Sequence, residues 1–334
     1  MRRAVTTLLT LALLGACGMS LAQVKVCPPP LPTNSDASFK HKRSKLVVAL
    51  GAARHRGQDV LVAAGQPQRV VGKFAYGQAD KDLKDEAVQI YVQKEAPCGE
   101  WVLLQEAWTT KDGDQGIVDG VQDDGGRVFF EIPEEQRLSV GRYAIRMRVR
   151  GDGSMAAFDL VVVPPETKVV VFDIDGTLTT RDKEVTKEYL ADLVNVDYAP
   201  GMYAGAVEVV QAWAEKGYAI AYVTGRPDFL HKSSAKWLRE KGFPPGVLHL
   251  ADTTHQVLPT SGGVAQYKAD YLKSLQAQGL FIAAAYGNAP TDIEAYANAA
   301  IDKSRTYIIG PHGGEEGTVA VEGYIEHVKG LVVP

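Results

Sequence analysis

Residues 169–180 read Val-Val-Val-Phe-Asp-Ile-Asp-Gly-Thr-Leu-Thr-Thr, an apolar run that ends in two aspartates one residue apart. Consecutive apolar, mostly β-branched residues are typical of a strand that is buried on both faces, as in a parallel sheet. Gly176 and Thr177 then predict a sharp turn. Side chains that follow such a strand lie in the crevice at the carboxyl edge of the sheet. The stretch therefore predicts an α/β sheet with Asp173 and Asp175 at its ligand-binding edge.

The two aspartates also suggest a chemistry. Carboxylates one residue apart repel each other, and a bound cation would relieve that repulsion. One carboxylate can then attack phosphorus while the other moves protons. The alternative is an Asp-Gly turn with incidental acids, and the motifs further along the chain argue against it.

Length and charge limit the broad class. A chain of 334 residues is long enough for two domains that each bury a core. The net charge of −4 is close to neutral. Because there is no basic excess, aromatic–basic stripe or zinc-type cysteine pattern, no nucleic-acid partner is expected.

The N-terminal segment 1–22 is typical of a signal peptide. Arg2 and Arg3 precede an apolar run over 4–16 that is too short to span a bilayer. Two processing interpretations remain open: residues 14–17 resemble a bacterial lipobox that would leave a lipidated Cys17, and residues 20–22 resemble an ordinary cleavage site. Both predict an exported protein, periplasmic or outer-membrane-associated, with no transmembrane helix in the mature chain.

Residues 23–45 are predicted to be a Pro-rich, basic tether. Its basic cluster at 41–45 could contact anionic lipid headgroups or be only a solvated surface. Removal of Cys17 would leave Cys27 and Cys98 as a pair, which in an oxidising compartment predicts a disulfide. Two unrelated free thiols are the alternative.

Residues 46–164 alternate with a period of two between Gly, Asp and Pro clusters, which predicts an all-β sandwich of the immunoglobulin-like kind. The predicted strands are Lys45–Leu50, Gln68–Tyr76, Ala87–Val92, Trp101–Ala107, Gly126–Ile132, Gly141–Val149 and Ala156–Val163. The last two are expected to form a hairpin.

Beyond the boundary at Pro164-Pro165, residues 166–334 alternate strand and helix patterns, which predicts a doubly wound α/β parallel sheet. The predicted strands are Lys168–Phe172, Tyr218–Val223, Val247–Leu248, Phe281–Tyr286 and Thr306–Ile309. The predicted helices are Val185–Leu193, Gly205–Lys216, Phe229–Lys241, Gly263–Gln278 and Asp292–Ala299.

Three further motifs follow the aspartate pair at strand ends or in helices. Thr224-Gly225-Arg226-Pro227 places a hydroxyl before a Pro-initiated helix whose N–H groups can hold a phosphate. Lys268 supplies a cation on a helix, and Asn288 and Asp292 follow a strand end. The histidines at 231, 249, 255 and 312 show no metal spacing and are predicted to lie at the surface or at helix ends.

The ordered motifs resemble the haloacid dehalogenase (HAD) superfamily of phosphotransferases. The resemblance implies that Asp173 attacks phosphorus and that Asp175 acts as acid and base. It implies an Mg²⁺ ion held by Asp173, Asp175 (through its backbone carbonyl) and Asp292. The phosphate-binding residues would be Thr177, Thr224, Gly225 and Lys268, with Asn288 and Arg226 near the site.

A closer resemblance covers residues 168–328. It is carried by the motifs at 173–179, 205–210 with Trp213, 223–228, 237–238, 242–244 and 286–296. These motifs resemble the LNS2 domain, which lipins share with the Nir/RdgB phosphatidylinositol transfer proteins. Lipins are Mg²⁺-dependent phosphatidate phosphatases, whereas the transfer-protein branch is thought to bind phosphatidate without hydrolysing it. Segment 205–250 is closer to the transfer-protein branch, but Asp173 and Asp175 are both present. The sequence therefore predicts a Mg²⁺-dependent phosphatase of phosphatidate or a related lipid phosphate. The alternatives are a non-catalytic phosphatidate- or phosphoinositide-binding module and a phosphatase of soluble phosphomonoesters.

The segments between the motifs are mostly used by predicted helices and strands, so a capless site or a small cap is expected. An open site suits a phosphate presented on a membrane surface.

Overall fold

The computed structural model describes residue 31 and residues 38–94, 98–180, 200–252 and 261–331, apart from the side chains of residues 261 and 262. The predicted signal peptide, Cys17, Cys27 and the helix expected over 185–193 lie outside the described residues. The ordinary cleavage site expected at 20–22 and the Cys27–Cys98 disulfide therefore stay predictions. The same holds for a small cap, since residues 181–199 and 253–260 are also outside. None of the described helices has the length and hydropathy needed to cross a bilayer.

The first half of the chain forms a β-sandwich. Its main strands are β1 (Arg56–Gly57), β2 (Val60–Ala63), β3 (Arg69–Lys73), β4 (Ala75–Tyr76), β5 (Lys81–Asp82), β6 (Ala87–Gln93), β7 (Trp101–Trp108), β8 (Ile117–Val118), β9 (Val121–Gln122), β10 (Arg127–Glu131), β11 (Gly141–Val149) and β12 (Met155–Val163). One sheet has the order β1-β3-β10 and the other β2-β12-β11-β6-β7. The predicted hairpin is confirmed, because β11 and β12 pair antiparallel from Gly141–Val162 onward.

The alternating pattern of the strands explains the sandwich core. In β6 the residues Val88, Ile90 and Val92 are all buried, while the intervening Gln89 and Tyr91 are partly exposed. Because successive side chains of a strand point to opposite faces, one face of each sheet is apolar and packs against the other. The sandwich therefore has its own hydrophobic core.

The strand predicted over Lys45–Leu50 is wrong. The C-terminal end of the predicted tether, residues 42–45, is helical instead. Lys42–Val48 is an α-helix, α1, that docks on the sandwich. The buried Glu86 carboxylate accepts hydrogen bonds from the backbone N–H groups of Lys40 and His41, at 2.8 and 2.9 Å, and from Ser44 Oγ. A negative charge at a helix N-terminus stabilises the helix. A local sequence pattern with a period of two cannot reveal this long-range contact, and the helix was therefore not predicted.

The second half of the chain forms a six-stranded sheet. Its strands are β13 (Lys168–Phe172), β14 (Ala219–Pro227), β15 (Val247–Ala251), β16 (Phe281–Gly287), β17 (Thr306–Ile309) and β18 (Val319–Val321). All neighbours pair parallel, in the order β15-β14-β13-β16-β17-β18. The predicted parallel sheet is confirmed, and β18 is an additional edge strand.

Helices cover both faces of this sheet. They are α2 (Ala206–Glu215), α3 (His231–Glu240), α4 (Ser261–Ala277), α5 (Pro290–Asn298) and α6 (Tyr324–Gly330). Val170 and Phe172 of β13 pack in a core with α2, α3 and α6. Val169 and Val171 point the other way and pack in a core with α4 and α5. The continuous apolar run of β13 is thus explained by burial on both faces.

The two halves share one apolar core and several buried polar contacts. Leu61, Ala63 and Val163 belong to the same buried cluster as Leu275 and Leu280 of the parallel-sheet half. Gln58 exchanges two hydrogen bonds with the backbone of Leu250, at 2.6 and 3.2 Å. Asp59 accepts from the N–H groups of Asp159 and Leu248, both at 2.9 Å. These contacts fix β15 against the edge of the sandwich.

The partly buried His55 of the sandwich is expected to make stability depend on pH. Its Nδ1 accepts the backbone N–H of Ala75 at 3.3 Å, and its Nε2 lies 2.8 Å from Ser154 Oγ. Burial lowers the pKa of His55 to about 4. The unfolded chain, with a histidine pKa of about 6.5, binds the proton more readily, so stability is lost as the pH falls from 6.5 toward 4.

We expect the free energy of unfolding to fall by about 2.5 kcal/mol through His55 alone between pH 7.5 and 4.5. Urea unfolding of the native chain and of His55→Gln at both pH values checks this, because the variant should lose less stability over that range. His312→Gln, which changes an exposed ring paired with Glu315, is the control and should behave like the native chain. An unchanged pH dependence in His55→Gln would refute the assignment.

Candidate functional site

The predicted site residues assemble where the strand order of the parallel sheet reverses. Asp173 follows β13, and Asn288 follows the neighbouring strand β16. Thr224, Gly225 and Arg226 lie in the last part of β14, on the other side of β13. The structure therefore brings three of the four sequence motifs together at the carboxyl edge of the sheet, the place where open α/β folds bind ligands.

Lys268 of α4 lies between two buried carboxylates. Its Nζ is 2.6 Å from Asp173 Oδ1 and 2.7 Å from Asp292 Oδ1. The lysine and Asp292 side chains are 4 % and 2 % exposed, so these are contacts in a nearly water-free environment. Burial raises the pKa of the Asp173 carboxyl above its usual range, against the opposing charge of Lys268. Burial alone would lower the pKa of Lys268, but the two carboxylates outweigh it and raise it.

Asp292 is positioned by the start of α5. Its Oδ2 accepts the backbone N–H groups of Asn288 and Ala289, at 3.0 and 3.1 Å. The turn before it requires glycine at 287, because a Cβ there would lie 2.5 Å from the Cβ of Asp292. One oxygen of Asp292 thus holds the turn, and the other faces Lys268.

Arg226 holds the second aspartate of the pair. Its Nε lies 2.8 Å from Asp175 Oδ2 and its Nη2 lies 2.9 Å from Oδ1, a bidentate arrangement. Nη1 donates to Ser234 Oγ of α3 at 2.8 Å. The arginine side chain is fully buried, and that of Asp175 is 12 % exposed. We call Asp173, Asp175, Asp292, Lys268 and Arg226 the acid–base cluster.

Two threonine hydroxyls lie beside this cluster. Thr177 Oγ1 lies 3.0 Å from Asp173 Oδ2 and 3.1 Å from Asn288 Oδ1. Thr224 Oγ1 lies 3.3 Å from Asp175 Oδ2. Gly225 lies between Thr224 and Arg226 and allows α4 to approach, because a Cβ there would be 3.0 Å from Val264 Cγ1. Every residue predicted for the phosphate site is therefore in or beside the acid–base cluster.

The predicted Mg²⁺ set fits this geometry only in part. Asp173 and Asp292 face each other, but the ammonium group of Lys268 lies between them. The Asp175 carboxylate faces Arg226, which does not test the ligand role predicted for the Asp175 backbone carbonyl. Within 38–94, 98–180, 200–252 and 261–331, no three His, Cys, Asp or Glu side chains form a group that could hold a metal ion. Mg²⁺ binding stays a prediction.

The sequence does not reveal which residues hold the acid–base cluster in place. Ser234 was not singled out, although it fixes the Arg226 guanidinium. Tyr324 Oη donates to the backbone carbonyl of Thr177 at 3.0 Å and anchors the loop after β13. Neither position carries a local signal, because each contact joins residues from different elements of the fold.

Comparison with known proteins identifies both halves of the chain. Residues 170–310 match the family model described as the LNS2 domain of PITM 1-3, and residues 53–162 match the one described as its beta-sandwich domain. Both models describe domains of the PITM 1-3 proteins, to which the two halves of the chain are similar. The LNS2 resemblance seen in the sequence is thereby confirmed on its Nir/RdgB side.

Individual relatives agree with the domain matches. The Drosophila melanogaster protein named retinal degeneration B is 34% identical over 295 residues, which is 87% of this chain and 21% of the fly protein. Human membrane-associated phosphatidylinositol transfer proteins 1 and 3 are 34% and 32% identical over 86% and 90% of the chain, and over 21% and 28% of their own lengths. The chain thus spans between a fifth and a third of these relatives. A solved superoxide reductase (neelaredoxin) from Ignicoccus hospitalis is 13% identical over 33% of this chain and 80% of its own, with a TM-score of 0.21, too remote to support a conclusion.

These relatives correct three expectations. The predicted phosphatase is wrong, because the relatives of the LNS2 domain are named as phosphatidylinositol transfer proteins rather than hydrolases. The predicted bacterial lipoprotein is wrong, and so is its periplasmic or outer-membrane location. The relatives are eukaryotic proteins, and the mammalian ones are named as membrane-associated. The nucleophile and acid roles assigned to Asp173 and Asp175 lose their basis with the phosphatase.

Proposed function

We propose that the LNS2 domain of this chain binds the phosphate of an anionic phospholipid, phosphatidate or a phosphoinositide, at the acid–base cluster without hydrolysing it. The names of the human relatives, which are phosphatidylinositol transfer proteins, support a phospholipid as the ligand. The HAD-like arrangement, with phosphate held at the carboxyl edge of the parallel sheet, is part of the proposal. The main support for binding without hydrolysis is that the acids of the acid–base cluster are paired with the chain's own cations.

The bidentate contact between Arg226 and Asp175 favours binding over turnover. A residue that protonates a leaving group must present a carboxyl oxygen to that group. Both oxygens of Asp175 instead accept hydrogen bonds from a fully buried guanidinium. Asp175 thus acts as a fixed acceptor that orients Arg226 and the strand end around it.

Pairing with two cations reduces the negative charge that the acid–base cluster presents to an anionic ligand. Three carboxylates face one ammonium and one guanidinium, which leaves a formal charge of −1. Burial raises the pKa of Asp173, which lowers the negative charge further. The hydroxyls of Thr177 and Thr224 and the helix start at Pro290 are groups that can hold phosphate oxygens.

Vesicle binding by the full chain tests the proposal. We expect binding to phosphatidylcholine vesicles that contain phosphatidate or a phosphoinositide, and little binding to phosphatidylcholine alone. Asn288→Asp adds a negative charge beside Thr177 at a partly exposed position, and we expect it to weaken binding about tenfold. Cosedimentation at several lipid concentrations measures the change.

Asn298→Asp is the matched control. It makes the same charge change at an exposed position on α5, and it should bind like the native chain. Equal binding by Asn288→Asp and Asn298→Asp would contradict a phosphate site at this position. Release of phosphate from phosphatidate by the native chain would contradict binding without hydrolysis. Tighter binding with Mg²⁺ than with a chelator would support the predicted metal site.

A further inference from the structure

A cleft of about 570 Å³ lies between the two domains, away from the acid–base cluster. The sandwich contributes β2 and the β8–β9 hairpin to its walls, and the LNS2 domain contributes β15 and α4. We call it the interdomain cleft. Its volume is within the range of sites that enclose small organic ligands. None of the five residues of the acid–base cluster lines it.

Three buried polar atoms in the cleft wall have no hydrogen-bond partner among the residues that the structure describes. They are Tyr267 Oη, Tyr271 Oη and His249 Nδ1. The Tyr267 residue is only 8 % exposed. Buried hydroxyl and imidazole groups are nearly always hydrogen-bonded, since leaving one unpaired destabilises the fold. Three such atoms from adjacent side chains lining one cleft indicate that the cleft receives a ligand with complementary polar atoms.

The fold holds these three rings in fixed positions. His249 of β15 stacks on Tyr271 with ring centres 3.6 Å apart and on Tyr267 at 5.2 Å, both nearly parallel. The tyrosines are four residues apart on α4, so they share a helix face. Burial lowers the pKa of His249 to about 3 and raises those of both tyrosines. At neutral pH the group therefore offers hydrogen bonds but no charge. The prediction that His249 lies at the surface or at a helix end is wrong.

The rest of the lining disfavours an anion. Its charged residues are four acids and one base: Asp59, Asp119, Asp252, Asp270 and Arg69. Arg69 already pairs with Asp119 and Glu131. The remaining wall is largely aliphatic and includes Val60, Val62, Leu250 and Leu275. The cleft is therefore matched to an apolar molecule with a few uncharged hydrogen-bond acceptors.

We propose that the interdomain cleft binds an uncharged lipid whose ester carbonyl oxygens accept hydrogen bonds from Tyr267 and Tyr271 and whose acyl chains pack on the aliphatic wall. This site is separate from the proposed phosphate site and does not depend on it. Because it lies between the two domains, its ligand would contact both.

Titration of the full chain with dioctanoylglycerol below its micellar concentration tests the proposal. We expect saturable binding with one ligand per chain in calorimetry, and at least tenfold weaker binding of octanoate because of its charge. Tyr267→Phe and Tyr271→Phe each remove one hydroxyl and should weaken dioctanoylglycerol binding about tenfold. The same variants should be as stable as the native chain or more stable, because each removes an unpaired buried hydroxyl.

Two further variants complete the test. Ser274→Trp adds a large side chain at an exposed position of the cleft rim and should abolish binding. Tyr91→Phe removes a hydroxyl that donates to Gln89 outside the cleft, and it should bind like the native chain. The proposal is overturned if the native chain does not bind dioctanoylglycerol, or if neither the phenylalanine variants nor Ser274→Trp changes the affinity. A native chain that does not bind phosphatidate in the vesicle assay would refute the phosphate site but not the lipid site in the interdomain cleft.

Discussion

Lys268→Met is expected to lower the free energy of unfolding by about 3–5 kcal/mol. The lysine Nζ is within 2.7 Å of both Asp173 and Asp292, and all three side chains are at most 6 % exposed. Methionine keeps the apolar stem but leaves two buried carboxylates without their cation. Removing one partner of a buried ion pair costs more than the pair itself contributes, because an uncompensated charge remains. Urea unfolding at neutral pH measures the difference.

The control for this prediction is on the same helix. Lys273→Met makes the same substitution at an exposed position of α4 and should change stability by less than about 0.5 kcal/mol. Adding Asp173→Asn to Lys268→Met should recover part of the lost stability, because it removes one of the two uncompensated charges. A loss below about 1 kcal/mol in Lys268→Met would show that water or a bound cation replaces the ammonium group.

The sequence predicted the parallel sheet well because its signal is local. The apolar run before Asp173 determines a strand buried on both faces, and the observed strand β13 has the predicted bounds Lys168–Phe172. The antiparallel hairpin of β11 and β12 was equally clear, since both strands alternate over nine residues. The positions of Asp173, Lys268 and Asp292 followed from the order of motifs along this pattern.

The remaining features depend on contacts between distant parts of the chain. Lys42–Val48 is helical because Glu86, far along the sequence, binds its N-terminal end. Strand β2 has only four residues and is held by β12 on one side and by the LNS2 domain on the other. Such short strands carry too few residues for a period to be recognised.

The side-chain contacts within the acid–base cluster could not be predicted from the sequence either. Arg226 was expected only near the site, and nothing in its motif indicates a bidentate contact to Asp175. That contact depends on the bulge of β14 between Thr224 and Pro227 and on Ser234 of α3. It changes the chemistry of the site, because it converts a predicted proton carrier into a fixed hydrogen-bond acceptor.

Arg226→Met is expected to destabilise the chain by about 3–5 kcal/mol, for a reason related to that of Lys268→Met. The substitution removes two hydrogen bonds to Asp175 and one to Ser234, all from a side chain with no exposed surface. Arg226→Lys should recover only part of this loss. Lysine restores the positive charge, but it cannot form the planar two-point contact with a carboxylate. Urea unfolding should show the largest free energy of unfolding for the native chain, a smaller one for Arg226→Lys and the smallest for Arg226→Met.

A double-mutant cycle separates the contact with Asp175 from the loss of packing. If the ion pair accounts for most of the effect, Asp175→Asn should destabilise the Arg226→Met background much less than it destabilises the native chain, with a coupling of about 1–3 kcal/mol. Arg239→Met, at an exposed position of α3, should leave stability nearly unchanged. Additive effects of the two substitutions would mean that Arg226 acts through packing and Ser234 alone. In that case other groups would hold Asp175 in place. The contact of its two oxygens with Arg226 would then no longer support binding without hydrolysis.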